Sequence, residues 1–214
     1  MSDQIAQLTA RIDTLTSEYN LSNYDIWSET GRSLAEQKEF KKKLIEFYRR
    51  GCYLSSAKIK CMVTGISQFE ELVIASHIWS HSKHGVGLAK FNLQKTDATS
   101  PRNGLLMLKE IEKQFDVKGL CFIYDAIAMK FKVKILNPHI RDVVISNSYG
   151  LTFRRIDGKV LQHPIDSLPY RRILSFHARC ALKNAREKTW IEAHEEESFQ
   201  PFHDLSDSAS VPEF

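Results

Sequence analysis

No C-x-x-C pair occurs in this sequence. Its four cysteines, Cys52, Cys61, Cys121 and Cys180, are too dispersed for a structural zinc cluster or a thioredoxin-like redox motif. No apolar run approaches the roughly 20 residues needed to span a bilayer. The opening MSDQIAQL also lacks the basic n-region and apolar core of a signal peptide. These absences predict an intracellular protein, nuclear or cytoplasmic, with reduced thiols; the basic run Lys41 to Lys43 is too short to serve as a nuclear address. Lysine and arginine are missing altogether after residue 190, where Glu192, Glu195, Glu196, Glu197, Asp204, Asp207 and Glu213 supply seven acids. All 30 Lys and Arg therefore face only 19 acids in the first 190 residues, so a formal charge of +4 conceals a body of +11 and an acidic tail. Such a body suits a nucleic-acid partner, and the tail could compete for the same surface; plain solubilising charge is the alternative.

What is present is ordinary soluble-protein material, 43% hydrophobic and 26% charged over 214 residues, enough for one compact domain with an appendage or two very small ones. Chemistry concentrates between Cys61 and Asp116. Leu72, Val73, Ile74, Ile78 and Trp79 make a β-branched and aromatic run of strand length, with His77 inside it. A histidine on a strand is restricted in motion and titrates near neutrality, as a general base for water must; a satisfied core histidine is the other reading. Pro101 and Asn103-Gly104 then signal a turn before the apolar run 105–108, and a short helix follows. On it Leu108, Ile111 and Phe115 share one face, while Glu112 and Asp116, four apart, lie beside its edge. Two carboxylates so placed repel unless compensated. A divalent cation such as Mg²⁺, Mn²⁺ or Ca²⁺ suits these hard oxygens. Lys109 paired with Glu112 and Lys113 with Asp116, on a solvated face, would do so equally.

The order C-x-V-T-G (61–65), A-S-H-I (75–78), N-G-L-L (103–106) and a helix ending in F-D (115–116) resembles the HNH endonuclease family, in the branch called HNH_2, over about residues 61–125. The resemblance implies a ββα-metal finger that hydrolyses phosphodiester bonds. It implies His77 as the general base and Asn103 as the residue orienting that histidine and its loop. Glu112 stands where the family usually carries a metal-binding histidine, and Asp116 matches the aspartate of the same pattern; both point toward a metal, Mg²⁺ or Mn²⁺ for a carboxylate pair. Ser76 stands where many members have an Asp or His ligand, and His81 and His84 lie near enough in sequence to supply a replacement. The cations around the motif, Lys83, Lys90, Arg102, Lys109, Lys113 and Arg172, are the expected phosphate contacts. Pro169, Arg172, Leu174 and His177 extend the resemblance weakly to about residue 187, with His177 either meeting phosphate, buttressing the site or simply packed.

Elsewhere, residues 2–19 predict a helix with the seam Ile5, Leu8, Ile12, Leu15 and Tyr19, either docked on the body or forming a homodimer. Residues 20–32 read as a connector. A second helix is expected over 34–50, stopped by Gly51, with Phe40, Leu44, Phe47 and Tyr48 inward and a basic outer face. Strands are expected at 59–63, 119–125 and 129–136, a hairpin of 151–155 with 159–162 around Asp157-Gly158, and a final helix with Pro169 in its first turn. The loop 80–102 has the composition of a substrate-contacting loop and a length that also permits disorder. The fold expected is α+β: a ββα-metal finger elaborated by antiparallel strands and flanking helices. Residues 1–55 form a helical region, 56–190 the nuclease-type domain and 191–214 a flexible acidic tail. The function expected is metal-dependent hydrolysis of phosphodiester bonds in DNA. The alternatives are a catalytically decayed finger that binds nucleic acid or a protein, and a helix-mediated assembly module.

Overall fold

The computed structural model describes residues 33–52, 55–145, 149–200 and 202. The helix expected at 2–19, with the dimer contact read from it, lies outside the described residues. The described residues belong to one compact unit.

Helix α1 (Leu34–Phe47) starts on a reciprocal capping box: the Glu36 amide donates to Ser33 Oγ at 3.2 Å and the Ser33 amide to the Glu36 carboxylate at 3.0 Å. Its stop differs from the expected one. Tyr48 caps it and Arg49, at φ 49°, makes the left-handed turn, so Gly51 is free to open the next strand. That strand, β1 (Gly51–Cys52), pairs antiparallel with β2 (Ser55–Lys60), which pairs with β3 (Ser67–Phe69). The strand expected over 59–63 ends early for a local reason. Cys61 Sγ accepts from the Val63 and Thr64 amides at 3.4 and 3.5 Å, and Gly65, at φ 75°, donates back to the Cys61 carbonyl, so C-x-V-T-G is a turn. The buried Cys61 is thereby a structural thiol; Cys121 and Cys180 are buried too.

Next comes the hairpin of β4 (Val73–His77) and β5 (Gly104–Leu108), in register from Val73 opposite Leu108 to His77 opposite Gly104. All five residues of β5 are buried, which explains why its pattern reads as a continuous apolar run. Helix α2 (Lys109–Asp116) follows without a break and turns Ile111 and Phe115 inward. Strands β6 (Leu120–Asp125) and β7 (Lys130–Ile135), both expected as strands, then pair antiparallel, with Phe131, Val133 and Ile135 buried and the lysines between them facing outward.

The hairpin expected around Asp157-Gly158 is absent. Residues Phe153–Ile156 form a helical turn, α3. Residues 158–161 run instead along β7: Val133 donates to Lys159 O at 2.9 Å, Gly158 to Val133 O at 2.8 Å and Leu161 to Phe131 O at 2.8 Å. An open edge of β7 outcompeted the local partner, aided by Asp157, whose carboxylate accepts from the Ile135 amide and the Arg141 guanidinium. Helix α4 (Arg171–Glu187) begins after Tyr170, so Pro169 precedes its cap; its residues Ala178, Ala181, Leu182 and Ala185 pack on Cys121 and Leu136.

The start of the acidic segment also departs from expectation. Residues Ala193–Glu197 form a short helix, α5, whose Glu195 meets Lys134 at 2.8 Å and Glu196 meets Arg186 at 3.0 Å, while Phe202 packs edge-on against Tyr124 at 4.7 Å. Paired acids and a buried ring hold this stretch to the body; residues 203–214 are outside the described ones. Among the described residues, no helix is long and apolar enough to cross a membrane.

Candidate active site

β4 ends on His77, where period-2 alternation separates it from its neighbour. Ser76 points into the core and is 4% exposed, so it is out of reach as a ligand, whereas His77 is only half-buried. The His77 ring is held from the side by α1: it stacks on Phe40 with centroids 3.8 Å apart and planes 29° apart. His81 stands edge-on to His77 at 5.8 Å, and His84 edge-on to His81 at the same separation.

Facing His77 across the hairpin is Gly104, and only glycine fits there. A Cβ at this position would lie 2.6 Å from Phe40 Cζ and 2.8 Å from Leu44 Cδ2. Tyr48, whose hydroxyl burial pushes well above the usual tyrosine range, stays protonated and donates to Gly104 O at 3.1 Å. Helix α1 thus grips both sides of the strand pair at the level of His77. Gly104→Ala is expected to destabilise the fold by about 1–3 kcal/mol, read as a lowered thermal midpoint. The Phe40→Leu substitution in the Gly104→Ala background should recover part of it by relieving the clash.

Asn103 is fully buried, and its side chain ties down the backbone beyond His77. Its Oδ1 accepts from the Trp79 amide at 2.8 Å, its Nδ2 donates to the carbonyls of Trp79 and Ala98 at 3.0 and 2.9 Å, and its own carbonyl accepts from Ile78 N. One side chain therefore closes both ends of the loop 80–102. Asn103→Ala leaves those buried groups unpaired and is expected to cost about 2–4 kcal/mol, measurable as a loss of denaturant midpoint together with faster hydrogen exchange at Trp79.

The loop is packed, against the alternative of disorder. It runs through short 3-10 turns at His81–Lys83, Leu88–Phe91 and Lys95–Thr99 around Trp79, which donates to Val86 O at 3.1 Å and meets the rings of Phe91 and Phe176. Gly87, at φ 90°, passes so close to Trp79 that a Cβ would sit 2.8 Å from its ring. Lys83 is a correction to the expected phosphate contacts. It is 3% exposed with its ammonium 4.6 Å from the Trp79 centroid, because the loop folds over it. Arg102 remains exposed but is drawn along the Tyr170 ring and donates to Leu168 O. Lys90, Lys109 and Lys113 are exposed and Arg172 is half-buried.

On α2 the two carboxyls face one another rather than pointing apart. Burial first, then the charge of Asp116 and a hydrogen bond to it, push the Glu112 carboxyl up to about 7, with Lys109 offsetting part of the rise. A pair that retains a proton near neutrality is under-compensated, the condition in which a cation can take the proton's place. Mg²⁺ is commonly bound by one or two carboxylates with water in the other positions, so the donor set fits it better than a metal that demands nitrogen or sulfur. Among the described residues, no three His, Cys, Asp or Glu side chains converge in a metal-binding arrangement.

His177 belongs to the scaffold. It is 3% exposed, stacks on Phe115 at 3.8 Å and donates from Nε2 to Phe115 O at 3.2 Å, so α4 buttresses the C-terminal end of α2. Sequence reasoning placed Phe40 and Tyr48 inward but gave them no part in the site. Their partners lie 37 and 56 positions away, and no local spacing encodes that.

Residues 61–123, less than a third of the chain, match the family model described as HNH endonuclease. No curated protein matches the chain. The matched stretch begins at the Cys61 turn, contains the whole β4–loop–β5–α2 unit and ends within β6.

Proposed function

We propose that this chain, carrying an HNH endonuclease segment, is a metal-dependent endonuclease that hydrolyses phosphodiester bonds in DNA. The observation that supports it best is the β4–β5–α2 unit itself: a half-exposed His77 held by Phe40 at a hairpin end that Asn103 locks, followed at once by a helix bearing the Glu112–Asp116 pair.

In this reading His77 accepts the proton of the attacking water. The Phe40 stack limits the ring to a narrow range of orientations, which is the positioning part of the rate gain. Asn103 is a positioning residue that sets the path of the chain at Ile78 and Trp79. Glu112 and Asp116 would hold a divalent cation, whose chemistry is neutralisation of charge on the leaving oxygen. Lys90, Lys109, Lys113 and Arg172 hold the phosphate backbone.

Plasmid nicking with Mg²⁺, Mn²⁺, Ni²⁺ or EDTA tests the proposal, with His77→Ala and Glu112→Ala run beside the wild type. Cleavage that needs metal and is lost in both variants supports it. A separate readout concerns the cation alone: Mn²⁺ is expected to raise the thermal midpoint of the wild type and to leave that of the Glu112→Gln, Asp116→Asn double variant unmoved. The substitution of Glu112 for the family's usual histidine favours one second reading, a binding module on a finger that no longer cuts. DNA retarded in a gel with no cleavage under any metal would select it.

A further inference from the structure

A groove of about 350 Å³ is lined by Tyr48, Arg49, Arg50, Lys130, His163 and Pro164, together with the segment 160–162. No carboxylate lines it. Three of the lining residues carry a full positive charge, and a fourth is an imidazole whose Nδ1–H donates to Pro164 O at 2.9 Å. Lys130 is exposed and makes no ion pair among the described residues; Arg49 meets Asp166 but its side chain is still 64% exposed. Arg50 is different, being 8% exposed and spent on the carbonyls of Lys60 and Cys61, so it serves the groove as fixed charge in its wall.

The walls come from three separate places in the chain: the end of α1, the first residue of β7, and the segment 160–164 that β7 recruited in place of its expected hairpin partner. Segment 160–164 is held from two sides, Leu161 by Phe131 O and Gln162 by Met62 O, both at 2.8 Å. A concave cationic surface with no carboxylate among its lining residues suits an anion. Its connection to the candidate site is short. Tyr48, in the groove wall, donates to Gly104 O, and Gly104 is the residue opposite His77.

We infer that this groove is a second phosphate-binding site, which holds the sugar-phosphate backbone of a nucleic acid whose other contacts are at the finger. It rests on the nuclease reading only in taking nucleic acid as the ligand. Arg49 and Lys130 supply the charges, so the site recognises backbone and not base sequence.

Binding of a labelled 30-base-pair duplex in EDTA, followed by anisotropy from low to moderate salt, tests it without any cleavage. The slope of log affinity against log salt is expected to become shallower by about 1 in Lys130→Ala and in Arg49→Ala, and by about 2 in the double variant. An unchanged slope and affinity in the double variant, with its circular dichroism intact, would overturn the inference. Full competition by a mononucleotide at micromolar concentration would overturn the backbone assignment in favour of a free nucleotide. Cleavage that fails while these slopes flatten sinks the catalytic reading alone, and cleavage that persists with slopes unmoved sinks this one alone.

Discussion

His77→Ala is expected to reduce metal-dependent cleavage by about 10²–10⁴-fold, the usual contribution of a positioned general base, while leaving DNA affinity in EDTA within a factor of about two. The reason for the separation is geometric. His77 closes the exposed end of a hairpin in which Val73, Ser76 and the whole β5 partner are buried, so removing the imidazole takes away the base without moving the phosphate-binding lysines. The Phe40 ring, now unstacked, keeps its contact with Gly104. His77→Gln, which restores bulk over Phe40 but cannot accept a proton at neutral pH, should be as inactive as the alanine variant. Activity in the glutamine variant near that of the wild type would remove His77 from the chemistry and leave it a packing residue.

The second large effect is on stability and comes from His177. Burial first, and then the charge of Lys118, push its imidazole down to about 3, against a small opposing pull from the Phe115 carbonyl. A histidine of depressed pKa is neutral in the folded chain while the unfolded chain takes up a proton below about 6.5. The unfolded state therefore binds more protons over the window between about 6.5 and 3, and stability falls as pH falls through it. For a shift of this size the loss at the acid end is about 4–5 kcal/mol, an upper figure that denatured-state interactions reduce. Urea midpoints at pH 7, 5.5 and 4 should decline in the wild type. In His177→Phe, which keeps the stack on Phe115 and cannot titrate, that part of the decline should vanish, at a constant cost from the lost hydrogen bond of about 1 kcal/mol. Parallel curves for the two proteins would refute the assignment. Because His177 fastens α4 to the carbonyl end of α2, acid should also loosen the helix that carries Glu112 and Asp116 before it unfolds the β6–β7 scaffold, which hydrogen exchange would resolve.

The acidic segment changes what the +11 body presents. Glu195 and Glu196 engage Lys134 and Arg186, while Asp125 engages Lys132, so two of the three outward lysines of β7 are already paired. Exposed pairs of this kind contribute only about 0–1 kcal/mol each. Their consequence is for charge distribution: Lys130, at the end of the same strand, is left as the free cation of β7 among the described residues and is the one that faces the groove.

Local pattern determined a good deal by itself. The apolar spacing in 34–47 and 171–187, the alternation in 130–135 and the ordered motifs from Cys61 to Asp116 place α1, α4, β7 and the His77–Asn103–Glu112–Asp116 series, because these signals act between residues a few positions apart. The hairpin at Asp157-Gly158 misled because a turn signal speaks only for its neighbours, and the unpaired edge of β7 offered those residues a better partner. Docking of residues 193–202 was hidden in the same way: a run of glutamates reads as solvated until Lys134 and Arg186 are brought beside it. Burial of Lys83 depended on where Trp79 sits once the loop closes. The stack of Phe40 on His77, the Tyr48 bond to Gly104 and the cationic groove join stretches from 30 to 116 positions apart, contacts whose partners are chosen by packing and by the satisfaction of buried polar groups over the whole unit. The sequence by itself thus determined which side chains could carry chemistry; the tertiary structure alone decided which of them meet.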